Sequence, residues 1–451
     1  MKINPIRQVS MFTKKILCVS VALLLALAAA GCSGGEAQEN QTPQEPEQNQ
    51  PTEQEEIVSA EVSGQVFEGE DFITCGILCV EQETKEEKFF LTDYAGRFDF
   101  DLEKGNYTLT FFKDSQYKAH TEELTIKNQL PQRFPEIRLE RVFDLNEAGY
   151  YSADLHQHSI YSDGKNSPFD MYLFDQAMNM DFAALTDHNS VGGTAEFLKT
   201  GDVFKDTFSV AGVEVTSADK GHINVLNTDR TFDYAFETED DVLAMLEEAR
   251  SDTSFVQINH PARLDVMGFD YLEKLPEFDF DGYELWNGKA ELPMSGTNLA
   301  AKEKWFEYLN EGYFIPATAG SDNHGYETQH SQTPRTYFRT DDPTLEGFLS
   351  ALKSGHSFLS NGPVVLADIG GASYGEAVSA GTHTLKLNVL YNDAIGDIRV
   401  ILNGKVYSET NAADSAFENE SALELQTGDY VVIEVETPNG GYALTNPVFC
   451  K

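Results

Sequence analysis

Residues able to bind metal recur in short clusters along this chain: His156-Gln-His158, Asp163, Asp187-His188, Glu214, His222, His260 and Asp322-Asn-His324. Six of the ten histidines fall in the set. Imidazole and carboxylate together, with no cysteine among them, suit zinc, manganese or iron. One ion takes roughly four to six ligands, so the nine candidates His156, His158, Asp163, His188, Glu214, His222, His260, Asp322 and His324 imply two or three divalent transition-metal ions held close together. Structural zinc is usually closed by cysteines, so a cysteine-free set of this size reads as an active site. Taken singly, each residue has a plainer explanation. A buried histidine is usually hydrogen-bonded in a core, and Asp163 could cap a turn. The set as a whole has no such explanation, because nearly every cluster closes an apolar run.

Those runs are the elements that must position the site. From about 150 to 365, short apolar strands alternate with helical stretches, the mark of an α/β arrangement. The expected strands are Ser152–Leu155, Phe182–Leu185, Phe208–Val213, Ile223–Leu226, Phe255–Ile258, Gly282–Trp286 and Phe314–Ala317. Expected helices include Asp241–Arg250, with Thr238 and Asp241 as a capping box, and Thr297–Asn310, stopped by Gly312. In α/β barrels the chemistry sits at the C-terminal ends of strands. His156 and His158 follow the first strand, His188 the second, His260 the fifth, and Asp322 and His324 the seventh, while Glu214 ends the third. His222 departs from the rule, since it opens the fourth strand.

Spacing refines the roles. His156 and His158 face one side of an extended chain, about 7 Å apart, and can share an ion or hold two neighbours. Asp187 and His188 face opposite ways, which makes His188 the ligand and leaves Asp187 to orient it or carry a proton. Glu214 has two oxygens with which to bridge two ions. Arg263 and Arg335 follow motifs at strand ends, and a guanidinium matches phosphate oxygens bidentately, so both are candidate phosphate clamps. His330, near the last motif, is a candidate substrate contact, while His120, His356 and His383 read as structural or exposed.

The motifs His156-x-His-Ser-x-x-Ser-Asp-Gly164, Thr186-Asp-His-Asn189, Gly212-Val-Glu214, Asn259-His-Pro261 and Gly320-Ser-Asp-Asn-His324 resemble, in order and spacing, those of the PHP (polymerase and histidinol phosphatase) superfamily. Gly221-His-Ile-Asn-Val225, Glu284-Leu-Trp-Asn-Gly288 and Thr333-Pro-Arg-Thr-Tyr337 resemble its CehA/McbA group, named for carbaryl hydrolases. The resemblance spans residues 145–365. It implies a distorted seven-stranded (β/α)7 barrel with a trinuclear metal centre, and it makes the nine candidates the metal ligands. Some PHP proteins carry histidine where Asp163 stands. The implied function is metal-dependent hydrolysis, by a metal-bridged hydroxide, of a small phosphate ester or nucleotide. The alternatives are a carbamate or carboxylic ester hydrolase and a non-catalytic tethered binding lipoprotein. No Gly-x-Ser-x-Gly elbow or Walker phosphate loop is present.

The rest of the chain sets the context. The formal charge of −42 opposes binding to long nucleic acids, which need Lys and Arg to displace counterions. A basic start and the apolar run Ile16–Ala30 lead to Ala29-Ala-Gly-Cys32, which resembles a bacterial lipobox except at Ala29, where leucine is usual. That implies a signal peptide over 1–31, lipidation at Cys32, and a membrane-anchored, extracytoplasmic place in a bacterial cell envelope. Residues 32–57, rich in Gln, Glu and Pro, read as a disordered acidic linker. Residues 58–144 carry short strands with turn signals, and Leu91–Phe100 with Gly105-Asn-Tyr107 resembles the carboxypeptidase regulatory-like β-sandwich. Residues 366–451 read as a second β-sandwich, with an Asn403-Gly404 hairpin. Cys75 and Cys79, about 13 Å apart along a strand, cannot pair and read as packing residues. The sequence leaves the substrate and the oligomeric state open.

Overall fold

The computed structural model describes residues 58–251, 253–288, 294–327 and 333–451. The signal segment, Cys32, the acidic linker and His330 lie outside the described residues.

The architecture is multidomain and mostly β, with a curled sheet at its centre. In chain order the central elements are β1 (Tyr150–Asp154), α1 (Pro168–Ala177), β2 (Phe182–Leu185), α2 (Thr194–Phe204), β3 (Phe208–Thr216), β4 (His222–Leu226), α3 (Glu239–Ala249), β5 (Phe255–Asn259), β6 (Gly282–Asn287), α4 (Gly296–Asn310), β7 (Ala317–Gly320), β8 (Arg335–Arg339), α5 (Leu345–Ser354) and β9 (Ser357–Ser360). The strands lie in the order β7-β6-β5-β4-β3-β2-β1-β8-β9. The sheet curls until the chain after β7 meets the chain after β1. Asp322 N–H donates to the His156 carbonyl at 2.7 Å, and His158 N–H to the Asn323 carbonyl at 2.9 Å.

The α3 capping box forms as expected between Thr238 and Asp241. The seventh strand begins three residues later than the apolar run suggests, at Ala317 rather than Phe314. Pro316 precedes it and has no N–H to give to a ladder. A regular (β/α)7 alternation is not what the pairing shows. β4 runs antiparallel to both β3 and β5. Only residues 217–221 join β3 to β4, with Gly221 at φ +93°. A parallel connection needs a dozen or more residues, so this short link can only make a hairpin. Between β5 and β6 the helical element is the short 3-10 turn Leu272–Glu277.

Two-residue alternation sorts the side chains of the curl. Val213, Val215, Ile223, Val225, Val256, Ile258, Tyr283, Leu285, Ala317 and Ala319 pack outward in one apolar cluster with α3 and α4. The alternate positions Glu214, Asn224, Gln257, Glu284 and Thr318 are fully buried and polar. Within it Thr318 donates to Gln257 at 2.6 Å, and Asn224 to the Leu155 carbonyl at 3.0 Å. The inside of the curl is therefore a polar shaft that ends at the metal-binding motifs.

The N-terminal residues form two four-stranded sheets around a shared apolar core. Cys75 and Cys79 are buried there as free thiols. On the C-terminal side, Val364–Ile369, Gly381–Leu390 and Ala416–Leu425 form a three-stranded sheet. The sheet opposite it is not separate: β9 pairs with Tyr442–Thr445, so the curled sheet runs on into the C-terminal layer.

Candidate metal centre

Glu214 is the hub of the cluster, and it is completely buried. Its Oε1 lies 3.1 Å from His156 Nε2, 3.2 Å from His222 Nδ1 and 3.6 Å from His260 Nε2. Its Oε2 lies 2.6 Å from His188 Nδ1 and 3.6 Å from His158 Nε2. One carboxylate thus stands between two groups of imidazoles. Asp322 closes the cluster, its Oδ1 at 3.1 Å from His158 Nε2 and 3.4 Å from His156 Nε2. Asp163, 58% exposed, reaches His324 Nε2 at 3.2 Å and His188 Nε2 at 3.5 Å from the solvent side.

Three sets of donor atoms lie within 4.8 Å of one another: His158, Asp163, His188 and His324; His156, His158 and Asp322; His188, Glu214 and His222. His260 falls outside these sets but touches the same Glu214 oxygen as His156 and His222. The structure therefore brings all nine candidates together.

Strand direction explains His222. β4 is antiparallel, so its first residue lies level with the C-terminal ends of its parallel neighbours. Its register partners are Thr216 at the end of β3 and Asn259 at the end of β5. Glu214 sits two residues inside β3, not at its end. His260 and Asp322 adopt left-handed backbone, with φ +30° and +48°. Such a conformation costs roughly 1–2 kcal/mol in a residue with a Cβ, and it turns both side chains into the site.

The supporting roles of several residues were not legible in the sequence, although Glu284 and Asn259 each open one of its motifs. Glu284, fully buried on β6, accepts from His156 Nδ1 at 2.9 Å and from His260 N–H at 2.8 Å. A carboxylate can only accept, so this bond fixes the proton on Nδ1 and aims the lone pair of His156 Nε2 at Glu214 and Asp322. Asp154 accepts from His156 N–H at 3.1 Å and Ser321 N–H at 3.0 Å, tying the two closing loops. Asn259 donates to Glu214 at 2.8 Å. The available signal was a lone carboxylate or amide at an inward position of an otherwise apolar strand, as in Gly282-Tyr-Glu-Leu-Trp286.

The three proposed catalytic side chains fare differently. Asp187 does not face the metal-binding atoms. Its oxygens accept from Ser159 N–H, Ser159 Oγ and Ser162 Oγ, each at 2.7 Å, so it fastens the loop that carries Asp163 instead of orienting His188. Thr216 Oγ1, at 2.6 Å, takes that place beside His188 Nδ1. Arg335 is not at the mouth. It is 4% exposed, donates to the Met178 carbonyl at 2.7 Å, and faces Asp114 at 3.7 Å. Its position on β8 is level with the site, but its side chain leaves by the outer face of the sheet. Arg263 stays near: the bond to Asp265 raises its pKa first, and the carboxylates of Asp322 and Glu214 add to the rise. Its Nε and Nη2 are already engaged by Asp265.

The cluster fits divalent cations. His156 Nε2 and Glu214 Oε2 are buried and have no hydrogen-bond partner, although each lies near its neighbours. Their contacts are close without a proton aligned along them. Lone pairs that converge in this way suit a cation between them. Burial alone would raise the Glu214 carboxyl, but His156, His188 and His222 hold it well below the usual range. Burial would likewise lower His156, yet the carboxylates of Glu284, Asp322 and Glu214 push it well above the usual imidazole range. Burial pushes Asp154 up to about 6, against the donors on Ser321 and His156. The carboxylates thus favour positive charge on His156, and the imidazoles favour negative charge on Glu214.

No protein-family profile matches the sequence, and no curated protein matches it. Among solved structures the chain is similar to a two-domain protein from Bacteroides vulgatus described as containing a predicted PHP-like metal-dependent phosphoesterase. That match has 16% identity over 66% of this chain and 95% of the other, with a TM-score of 0.41. It is also similar to an amidohydrolase from Chromobacterium violaceum with bound sulfate and no metal, at 20% identity over 40% of this chain and 89% of the other, with a TM-score of 0.28.

Proposed function

We propose that this chain is a metal-dependent hydrolase of the PHP type, in its CehA/McbA group, acting on a small phosphate ester. The observation that carries the reading is Glu214, buried with one oxygen among His156, His222 and His260 and the other between His158 and His188. The nine clustered side chains would hold two or three divalent ions. When bound, these ions would supply Lewis acidity, lowering the pKa of water and neutralising charge that develops on the attacked group. The chain's own part is positioning. Glu284 holds His156 in the ligand tautomer, Asp154 ties the loops of His156 and Asp322, and Asp187 anchors the Asp163 loop. Exposed Asp163 and half-buried His324 leave that side of the cluster open to a substrate.

The second reading, a carboxylic ester or carbamate hydrolase, is favoured by the fate of the arginines. Arg335 is buried elsewhere and Arg263 is engaged by Asp265, so neither is a free guanidinium for phosphate. We further propose that the folded part is tethered at Cys32 to a bacterial envelope through the 32–57 linker, with the 58–144 sheets as a spacer.

Elemental analysis of the purified protein, run beside a panel of p-nitrophenyl phosphate, bis-p-nitrophenyl phosphate and p-nitrophenyl acetate, tests the reading. Two or three transition ions per chain, with phosphate-ester turnover and competitive inhibition by inorganic phosphate, are expected. Fewer than one ion per active chain would sink the metal assignment. Dominant acetate hydrolysis without phosphate inhibition would replace the phosphoesterase with the ester reading.

A further inference from the structure

A phosphate ester carries negative charge that a neutral ester lacks, so a phosphoesterase needs a cation at its mouth beyond the metals. The cations near the motifs can be sorted by what they touch. Arg335 bonds the Met178 carbonyl. Arg263 is held by Asp265 at 2.6 Å. Lys220, in the hairpin before His222, pairs with Asp270 at 3.0 Å and Asp219 at 3.4 Å. Lys165 differs from all three. It is exposed, and its ammonium has no ion pair or hydrogen bond among the described residues.

Its place is nevertheless fixed. Lys165 lies two residues beyond Asp163, and its N–H donates to the His324 carbonyl at 2.8 Å. The loop that carries both is closed by Gly164 N–H to the Ser159 carbonyl at 3.0 Å and anchored below by Asp187. The aliphatic stem lies over Gly325, the residue after His324. A Cβ on Gly325 would come within 3.1 Å of Lys165 Cδ, so the glycine leaves room for the stem. Glu327, whose Oε2 borders the same glycine, accepts at Oε1 from Asn166 Nδ2 at 3.1 Å and makes no ion pair with Lys165 among the described residues. The backbone of Lys165 is thus set beside Asp163 and His324, the two most exposed members of the cluster, and its ammonium is unpaired among the described residues.

We propose that Lys165 is the substrate-binding cation of this site, which grips the free negative charge of a phosphate ester and selects it over a neutral ester. This rests on the phosphoesterase reading above. The test uses the metal-loaded full-length protein with Lys165→Met and Lys165→Arg. In Lys165→Met the KM for p-nitrophenyl phosphate and the inhibition constant of inorganic phosphate should each rise roughly tenfold, the usual worth of one charged hydrogen bond, with kcat changing less. The selectivity for p-nitrophenyl phosphate over p-nitrophenyl acetate should fall with them, and Lys165→Arg should restore most of it. If wild type hydrolyses the phosphate ester and Lys165→Met does so with KM and inhibition constant within about twofold, the lysine assignment fails alone. If wild type neither hydrolyses phosphate esters nor is inhibited by phosphate, the phosphoesterase reading fails and takes the lysine assignment with it.

Discussion

Among the described residues, two of the buried clusters of charge are built on opposite principles. One is the histidine and carboxylate cluster at the strand ends. The other lies where the N-terminal sheets meet α1 and β8, around Lys113, Asp114 and Arg335. In the second cluster most polar atoms are satisfied. Lys113 Nζ donates to the carbonyls of Thr74 and Gln176, each at 2.8 Å. Asp114 accepts from Gln116 N–H at 3.0 Å and Gln116 Nε2 at 2.9 Å, and it faces Arg335. In the first cluster His156 Nε2 and Glu214 Oε2, both facing the other ligands, are buried without a hydrogen-bond partner. Buried polar groups are nearly always paired, so saturation marks scaffold and a concentration of unpaired ligand atoms marks a binding site. The contrast also reassigns Arg335: a guanidinium with its partners inside the fold is not waiting for a substrate.

Breaking the hub should have the largest effect. Glu214→Gln keeps the shape and removes the charge that the imidazoles share. Bound metal should drop below one ion per chain, and turnover should fall by more than about 100-fold, beyond the loss typical of residues that only support a ligand. Full turnover in this variant would mean that the cluster is not the active centre.

Arg335→Ala comes next, and the comparison predicts a loss of stability, not of chemistry. Removing one partner of a buried pair leaves a buried charge uncompensated, which costs about 3 kcal/mol or more. Urea unfolding should show that loss, while kcat/KM of the folded protein stays near wild type. The opposite pattern, intact stability with a roughly 100-fold loss on phosphate esters, would restore Arg335 as a clamp.

The smallest effect sharpens the comparison through pH. Burial lowers the Lys113 pKa from 10.5 to about 8. Between these values the unfolded chain binds the extra proton, so the burial penalty is fully present below about pH 8 and is relieved as pH rises. Wild type should therefore gain roughly 1 kcal/mol relative to Lys113→Met between about pH 7.5 and about pH 9. That window lies below the titration of the buried Cys75 thiol, which burial pushes up to about 12. Equal slopes for the two proteins would show that Lys113 is not buried as a charge.

The residues that could bind metal were legible because ligand chemistry is local. His156-Gln-His158 and Asp322-Asn-His324 carry their face in their spacing, and the apolar runs before them mark strands. The capping box of α3 was legible for the same reason, since Thr238 and Asp241 meet within one turn. Supporting residues were not. Glu284 looks like an interruption in an apolar strand until the curl places it against His156, which lies 128 positions away along the chain. Asp187 sits beside a ligand in sequence, yet its oxygens turn to Ser159 and Ser162.

The sequence by itself determined which residue types could meet, and on which face of which strand, because two-residue alternation and turn chemistry act over a few positions. Tertiary structure alone decided three things. The reversed β4 brought the first residue of that strand level with the ends of its neighbours, so His222 joined the cluster. The close of the sheet from β7 back to β1 joined the loops of His156 and Asp322. The outward face of β8 buried Arg335, while the loop after Asp163 left Lys165 free. Each depends on strand direction or on contacts between distant segments, and neither is written in the local pattern of residues.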